Sequence, residues 1–248
     1  MSSVPTTNPP GAAAELDRLQ RQLGYQFKNI ALLQQALTHK SFSKQNNERL
    51  EFLGDAVLGY LIGHRLYGLE KVYAEDSLSL MRANLVRGSS LAEIAKQINI
   101  AACLRLGTGE RKSGGRQRNS ILADALEAVI GAIHEDAGRD NEGGGIGACR
   151  EVVEHLFNAR IAGLDPENLK DAKTRLQELL QAAGLDLPDY QVTQVEGADH
   201  QRQYTVTCEI SVLSIQCDAT ASSRRRAEQS AAAVMLTKLI DHPALSGK

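Results

Sequence analysis

Residues Asn47 to Leu58, reading N-E-R-L-E-F-L-G-D-A-V-L, put three carboxylates into a segment that otherwise has the makings of a core helix. At about 100° per residue, Glu48, Glu51 and Asp55 fall at about 0°, 300° and 340°, so one helix presents all three on a narrow stripe. Leu50, Leu53, Val57, Leu58, Leu61 and Ile62 occupy the rest of its surface. Carboxylates crowded between apolar residues raise one another's pKa and resist burial unless a cation joins them. A hard divalent metal ion is the simplest such partner.

A second acidic pair lies in Ser120 to Gly131, S-I-L-A-D-A-L-E-A-V-I-G, where Asp124 and Glu127 are one turn apart on an apolar helix. A single Asp or Glu in a helix is most often merely solvated. Two acidic sets inside two apolar helices suit a shared metal instead, as facing helices of bundles build carboxylate sites. Glu75, opening the segment E-D-S-L-S, is a further candidate. Oxygen-only ligation favours Mg²⁺ or Mn²⁺ over zinc, which calls for His or Cys.

The chain has 248 residues, 42% of them hydrophobic, enough for one large or two modest domains. Its 28 Lys and Arg against 30 Asp and Glu give no general attraction to polyanions, so any nucleic-acid site must be local. Residues 1–14, rich in Pro, Ala, Ser and Thr, read as a loose tail rather than a signal peptide. No apolar run approaches the length of a membrane span. Cys103, Cys149, Cys208 and Cys217 show neither a CxxC pair nor zinc spacing, and are expected as reduced thiols in a cytoplasmic protein.

Helical periodicity dominates to about residue 160, with expected helices over 15–23, 30–37, 48–67, 75–87, 88–97, 120–135 and 147–160. The stretch 138–147, centred on Gly143-Gly144-Gly145, reads as a flexible connection, since it lacks the strand-to-helix context of a nucleotide-binding loop. Residues 161–170 turn polar, contain Pro166 and suit a linker. Beyond them the pattern becomes helix 171–183, strands 190–196, 202–210 and 213–219, and helix 223–240. The expected architecture is an all-α domain over 15–160 followed by a small α+β domain, α-β-β-β-α, over 171–241, with a short tail over 242–248.

Together these segments resemble a bacterial ribonuclease III. The resemblance rests on Asn47 to Leu58, on Thr38-His39-Lys40-Ser41, on Gly107-x-Gly109-Glu110-x-Lys112-Ser113-Gly114-Gly115 and on Ile121 to Glu127. Lys173-Thr174-x-Leu176-Gln177-Glu178 and Ser222-Ser223-Arg224-Arg225-Arg226-Ala227-Glu228 resemble that family's double-stranded RNA-binding domain. The resemblance implies that Glu51, Asp124 and Glu127 ligate the catalytic Mg²⁺, for which Mn²⁺ substitutes. It makes Asp55 and Glu127 essential catalytic acids and Glu48 and Glu75 accessory ones. It places Phe52 at the contact of a homodimer whose protomers each cut one strand of duplex RNA, leaving 5′-phosphate and 3′-hydroxyl ends. Ribosomal and messenger RNA precursors are the implied substrates, with no nucleotide cofactor and no membrane partner. Carboxylate-bound Mg²⁺ suits phosphodiester hydrolysis, which needs an activated water and neutralised charge on the departing oxygen.

The second domain is not basic: from Asp171 onward it holds 8 Lys and Arg against 10 Asp and Glu. Its positive charge is concentrated in Arg224-Arg225-Arg226, at a helix start where backbone N–H groups already favour anions. The resemblance assigns these arginines to phosphates, and Gln177, Glu178 and His200 to the minor grooves of a duplex read by shape. It also usually has glycine where this chain has Ala219 and Ala221; if those positions need positive φ, RNA affinity is expected to fall. Two other classes remain open on the residues alone: a protein that sequesters duplex RNA uncut, and a hydrolase of small phosphoesters.

Overall fold

The computed structural model describes residues 10–138, 144–198, 201–240 and 242. It divides into two compact units, Met1–Pro166 and Glu167–Lys248.

In the first unit, helices α1 (Pro10–Leu23), α2 (Ile30–Ala36), α3 (Glu48–Tyr67), α4 (Glu75–Val86) and α5 (Gly88–Gln97) precede the short α6 (Ile100–Cys103) and α7 (Thr108–Lys112). A 3₁₀ turn, Gly115–Gln117, then leads into α8 (Asn119–Gly138) and α9 (Gly144–Ala162). Helix α8 is the centre of the unit: Ile121, Leu122, Ala125, Leu126, Val129, Ile130 and Ile133 are all buried, and α2, α3, α5 and α9 pack around it. A helix apolar on nearly every side is stable only when surrounded in this way. Helix α3 turns Leu50, Val57, Leu58, Leu61, Ile62 and Leu66 inward and leaves Phe52, Tyr60 and Tyr67 exposed.

Helix α1 begins at Pro10, so residues 10–14 are helical rather than part of the expected tail, and residues 1–9 lie outside the described residues. Proline suits a first helical turn because its missing N–H has no intrahelical partner there. The expected loop over 138–147 is also revised. Helix α9 starts at Gly144, where Gly145 is buried, and a Cβ on it would lie 2.5 Å from the carbonyl oxygen of His134 on α8. That glycine marks a close crossing of two helices.

The expected linker holds a helical turn, α10 (Pro166–Leu169), again opened by proline. The second unit continues with α11 (Ala172–Ala182), an antiparallel sheet of β1 (Asp189–Glu196), β2 (Gln203–Ile210) and β3 (Ile215–Ala221) in the order β1-β2-β3, and α12 (Arg224–Leu239). Leu176, Leu180, Cys208, Ile210, Cys217, Ala231, Ala232, Met235 and Leu239 form its core, with alternate residues of β2 and β3 facing the helices. Side-chain caps start both helices: Asp171 accepts from the Thr174 N–H at 2.9 Å and Ser223 from that of Arg226 at 3.3 Å.

Strand β3 begins two residues later than expected, because Ser211–Leu213 forms a 3₁₀ turn closed by Ser214 at φ 53°. Ala219 and Ala221 therefore lie inside β3, paired with Val206 and Tyr204. Neither has positive φ, so the doubt attached to missing glycines at those positions falls away. All four cysteines are free. Among the described residues, no helix is long and apolar enough to cross a membrane.

Candidate active site

The two acidic helices meet through glycine. A Cβ on Gly54 of α3 would collide with the Glu127 carbonyl of α8, and a Cβ on Gly131 of α8 would collide with the Leu50 carbonyl of α3. Glycine inside a helix costs about 1 kcal/mol relative to alanine, and here it allows main chain to rest on main chain. The acids flanking Gly54 thereby face those preceding Gly131. One carboxylate oxygen each from Glu51, Asp124 and Glu127 lies within 4.8 Å of the others.

All three acids are half-buried, and each is held above its ordinary pKa. Burial pushes Glu127 up to about 7, with the Asp55, Asp124 and Glu51 charges adding to it. Burial likewise raises Glu51, helped by Asp124 and Glu48 and opposed by Lys40. For Asp124 burial outweighs the opposing charges of His39 and Lys40. Three crowded oxygen donors that resist ionising together form a site whose electrostatic cost a divalent cation removes, and oxygen-only donors suit the Mg²⁺ class.

Asp55 is exposed at the margin of this triad, close enough for its charge to act on Glu127. Glu48 is exposed one turn before Glu51 and accepts from Lys40 Nζ at 3.1 Å and Asn46 Nδ2 at 3.2 Å. Glu75 opens α4, where it accepts from the Ser79 hydroxyl at 2.7 Å, and it is not one of the triad. Phe52, the residue after Glu51, points to solvent with 80% of its surface exposed.

The sequence marks Thr38 to Ser41 and the run from Gly107 as motifs but does not show that they lie against one another beside this site. Residues 37–42 are pinned to residues 105–107: Arg105 N–H donates to Leu37 O at 2.8 Å, His39 N–H to Arg105 O at 3.0 Å, and Gly107 N–H to Ser41 Oγ at 2.9 Å. The Arg105 guanidinium also stacks 4.6 Å from the Phe42 ring centroid. Ser41 N–H lies 3.2 Å from His39 Nδ1 and Ser41 Oγ 2.8 Å from it, so His39 is built into the turn. One residue missed is Asp136, on the far part of α8, buried and accepting from Tyr25 Oη, Lys28 N–H and Asn29 N–H at 2.8–2.9 Å. Its signal was an acid at a core position of α8, whose partners far away in sequence no local pattern reveals.

In the second unit Arg224, Arg225 and Arg226 are exposed at the start of α12. Arg224 Nε lies 2.8 Å from Glu228, which also binds Lys173 Nζ at 2.8 Å and so ties α12 to α11. Arg226 leans on Ser222 Oγ at 3.4 Å, while Arg225 has no ion pair among the described residues. Gln177 is exposed on α11. Glu178 is half-buried and engaged with Lys170 Nζ at 2.7 Å. His200 lies outside the described residues.

Residues 29–156 match the Ribonuclease-III-like family and residues 172–239 the double-stranded RNA binding motif. A curated protein named Ribonuclease 3 from Hahella chejuensis is 51% identical over 227 residues, 91% of this chain and 97% of that protein. Two solved structures of the nuclease domain of ribonuclease III from Campylobacter jejuni are similar, both with TM-score 0.52. One is 44% identical and covers 58% of this chain and 99% of that domain; the other is 39% identical and covers 60% and 98%. Identity of this depth across nearly the whole length, spanning both acidic helices and the arginine-bearing one, means that the chain belongs to the ribonuclease III family.

Proposed function

We propose that this protein cleaves double-stranded RNA endonucleolytically, with a divalent metal ion held by Glu51, Asp124 and Glu127. The observation that carries this reading is the gathering of those three carboxylates across the Gly54–Gly131 crossing. Mg²⁺ is the proposed ion, with Mn²⁺ able to replace it, since both take oxygen ligands. The chemistry such an ion supplies is activation of water and neutralisation of charge on the phosphate in flight.

The protein's own residues do the rest. Glu127, with its raised pKa, gives up its proton as the site is loaded, and Asp55 adds charge beside it. Glu48 and Glu75 act as accessory acids outside the triad. The products carry 5′-phosphate and 3′-hydroxyl ends, the substrates are ribosomal and messenger RNA precursors, and the protein works in the cytoplasm. Residues 15–160 form the nuclease domain and 171–241 the RNA-binding domain, joined by 161–170.

Binding falls to the second domain, where Arg224, Arg225 and Arg226 reach phosphates and Gln177 and His200 the minor grooves. Glu178, occupied by Lys170, joins them only by leaving that partner. The protein acts as a homodimer through the exposed apolar side of α3, with Phe52 as anchor. One of the Campylobacter jejuni structures is described by flexibility in its region involved in dimer formation.

The test is incubation of the purified protein with duplex RNA, duplex DNA and a small phosphodiester, with and without Mg²⁺, followed by end analysis. Mg²⁺-dependent cutting of duplex RNA alone is the expected result. Binding without cutting would identify a sequestering protein, and turnover of the small ester a different hydrolase.

A further inference from the structure

We propose that Lys40 contacts a phosphate of the bound duplex beside the metal triad, exchanging its ion pair with Glu48 for that phosphate when RNA docks. This rests on the reading of the triad as a nuclease centre.

The charge balance around the site calls for such a residue. Glu48, Glu51, Asp55, Asp124 and Glu127 place five carboxylates around one mouth, and a single divalent ion offsets only part of that charge. A polyanion approaching the remainder is repelled unless a fixed cation stands there. Lys40 is so placed: its ammonium lies 3.1 Å from Glu48, and its charge acts on both Glu51 and Asp124.

Its backbone is held in place, while its side chain is mostly exposed and, among the described residues, tied only to Glu48. Lys40 follows His39 in a turn closed by the Phe42 N–H donating to His39 O at 2.9 Å. The same turn is anchored to Arg105 and Gly107 on one side, and through the Asn47 N–H to Thr38 O, at 2.9 Å, on the other. A Cβ on Gly107 would strike the Ser41 carbonyl, so turn and loop lie main chain against main chain. The Lys40 side chain is 63% exposed and the Glu48 side chain 53%. An ion pair this open is weak, because water and salt screen it. An ammonium on a flexible stem can therefore leave Glu48 for a phosphate at little cost. Glu48 serves meanwhile as a rest position that keeps the lysine at the rim of the site.

The experiment compares full-length wild type, Lys40→Gln and Lys40→Arg on one duplex with a defined cut site, in Mg²⁺, over a range of salt. Lys40→Gln is expected to lower kcat/KM about tenfold and to flatten its log–log salt dependence by about 0.9, the contribution of one phosphate contact. Lys40→Arg, which keeps the charge, is expected to restore most of both. Melting temperatures should agree among the three, since the side chain is exposed and the turn is held by its backbone.

The same duplex carrying single neutral methylphosphonates near the cut locates the contact. At one position wild type should fall to the Lys40→Gln rate, while Lys40→Gln loses nothing further. Wild type that cuts while Lys40→Gln matches it in rate and salt slope overturns the role of Lys40 alone. Strictly additive losses at every methylphosphonate position overturn it as well. A wild type inert on the duplex in Mg²⁺ removes the nuclease reading, and the role of Lys40 with it.

Discussion

The two units use their cores in opposite ways. In the first, the chemistry is inside the packing: the triad exists because α3 and α8 touch through Gly54 and Gly131. In the second, Leu176, Met235 and their neighbours make a closed core, and the arginines stand on its outside at the start of α12. Stability and function therefore compete in the first unit, where like charges are pressed together. They are nearly separate in the second. Substitutions should reveal that contrast.

Gly54→Ala should have the largest effect. Its new methyl has no room against the Glu127 carbonyl, and only separation of α3 from α8 relieves the clash. Overpacking of a tight core costs about 1–3 kcal/mol and sometimes more, and a main-chain obstacle belongs at or beyond the upper end, about 3 kcal/mol. Denaturant unfolding should show the loss, and cleavage should disappear with it even where the variant remains folded. Retention of both stability and activity would mean that the site does not depend on this crossing.

Glu127→Gln should separate chemistry from folding. Transition-state stabilisation by a metal ion is worth several kcal/mol, so losing a ligand should slow cleavage by at least about a hundredfold. Duplex binding should persist, and the metal-free variant should be as stable as wild type or slightly more so, because one repelling carboxylate is gone. Single-turnover cleavage beside an equilibrium unfolding curve checks both.

A pH titration of stability sharpens the same point. Burial raises the folded-state pKa of Glu127 to about 7, against an ordinary 4.5, so the folded protein keeps a proton that the unfolded chain releases. That contribution is fully present below about pH 4.5 and is lost as pH rises through about 7. Metal-free wild type should lose on the order of 1–2 kcal/mol relative to Glu127→Gln between pH 5 and 8, after allowance for screening of a half-exposed group. Saturating Mg²⁺ should abolish the difference, since the ion binds the ionised form.

The smallest effect on folding is expected in the second unit. Replacing Arg224 and Arg225 with Ala should leave its stability within about 0.5 kcal/mol, apart from the exposed Arg224–Glu228 pair. Duplex affinity should fall and its salt dependence flatten. An unchanged salt slope would remove these two residues from the RNA-facing surface.

Much of the fold was legible because the periodicities are strong. The helices over 48–67 and 88–97 match the sequence reading to the residue, and the α-β-β-β-α order follows from alternation in β2 and β3. The short pieces α6, α7 and α10 were not read, since four or five residues carry no period. The glycines misled in one place and went unused in another. Gly143-Gly144-Gly145 looked like a flexible loop although Gly145 serves a helix crossing, and Gly54, between Glu51 and Asp55, and Gly131, one turn beyond Glu127, sat unremarked beside the acids they bring together. Close approach depends on the partner helix, which a local pattern does not contain. Lys40 stands in the sequence only as part of a short motif, because its nearness to Asp124, far along the chain, is a tertiary fact.

The Gly54–Gly131 crossing carries a consequence for metal choice. Where helices are spaced by side chains, changing a ligand also changes the gap it spans. Here bare backbone sets the gap, so the length of each acid would adjust the spacing of the triad's oxygens independently. Mg²⁺ asks for oxygens at about 2.0–2.1 Å and Ca²⁺ for about 2.3–2.6 Å. Exchanging Asp and Glu at position 124 or 127 would move one oxygen by a methylene against a fixed frame. In a metal-loaded site the interlocked glycines would thus act as a gauge for ionic size, although neither offers a ligand.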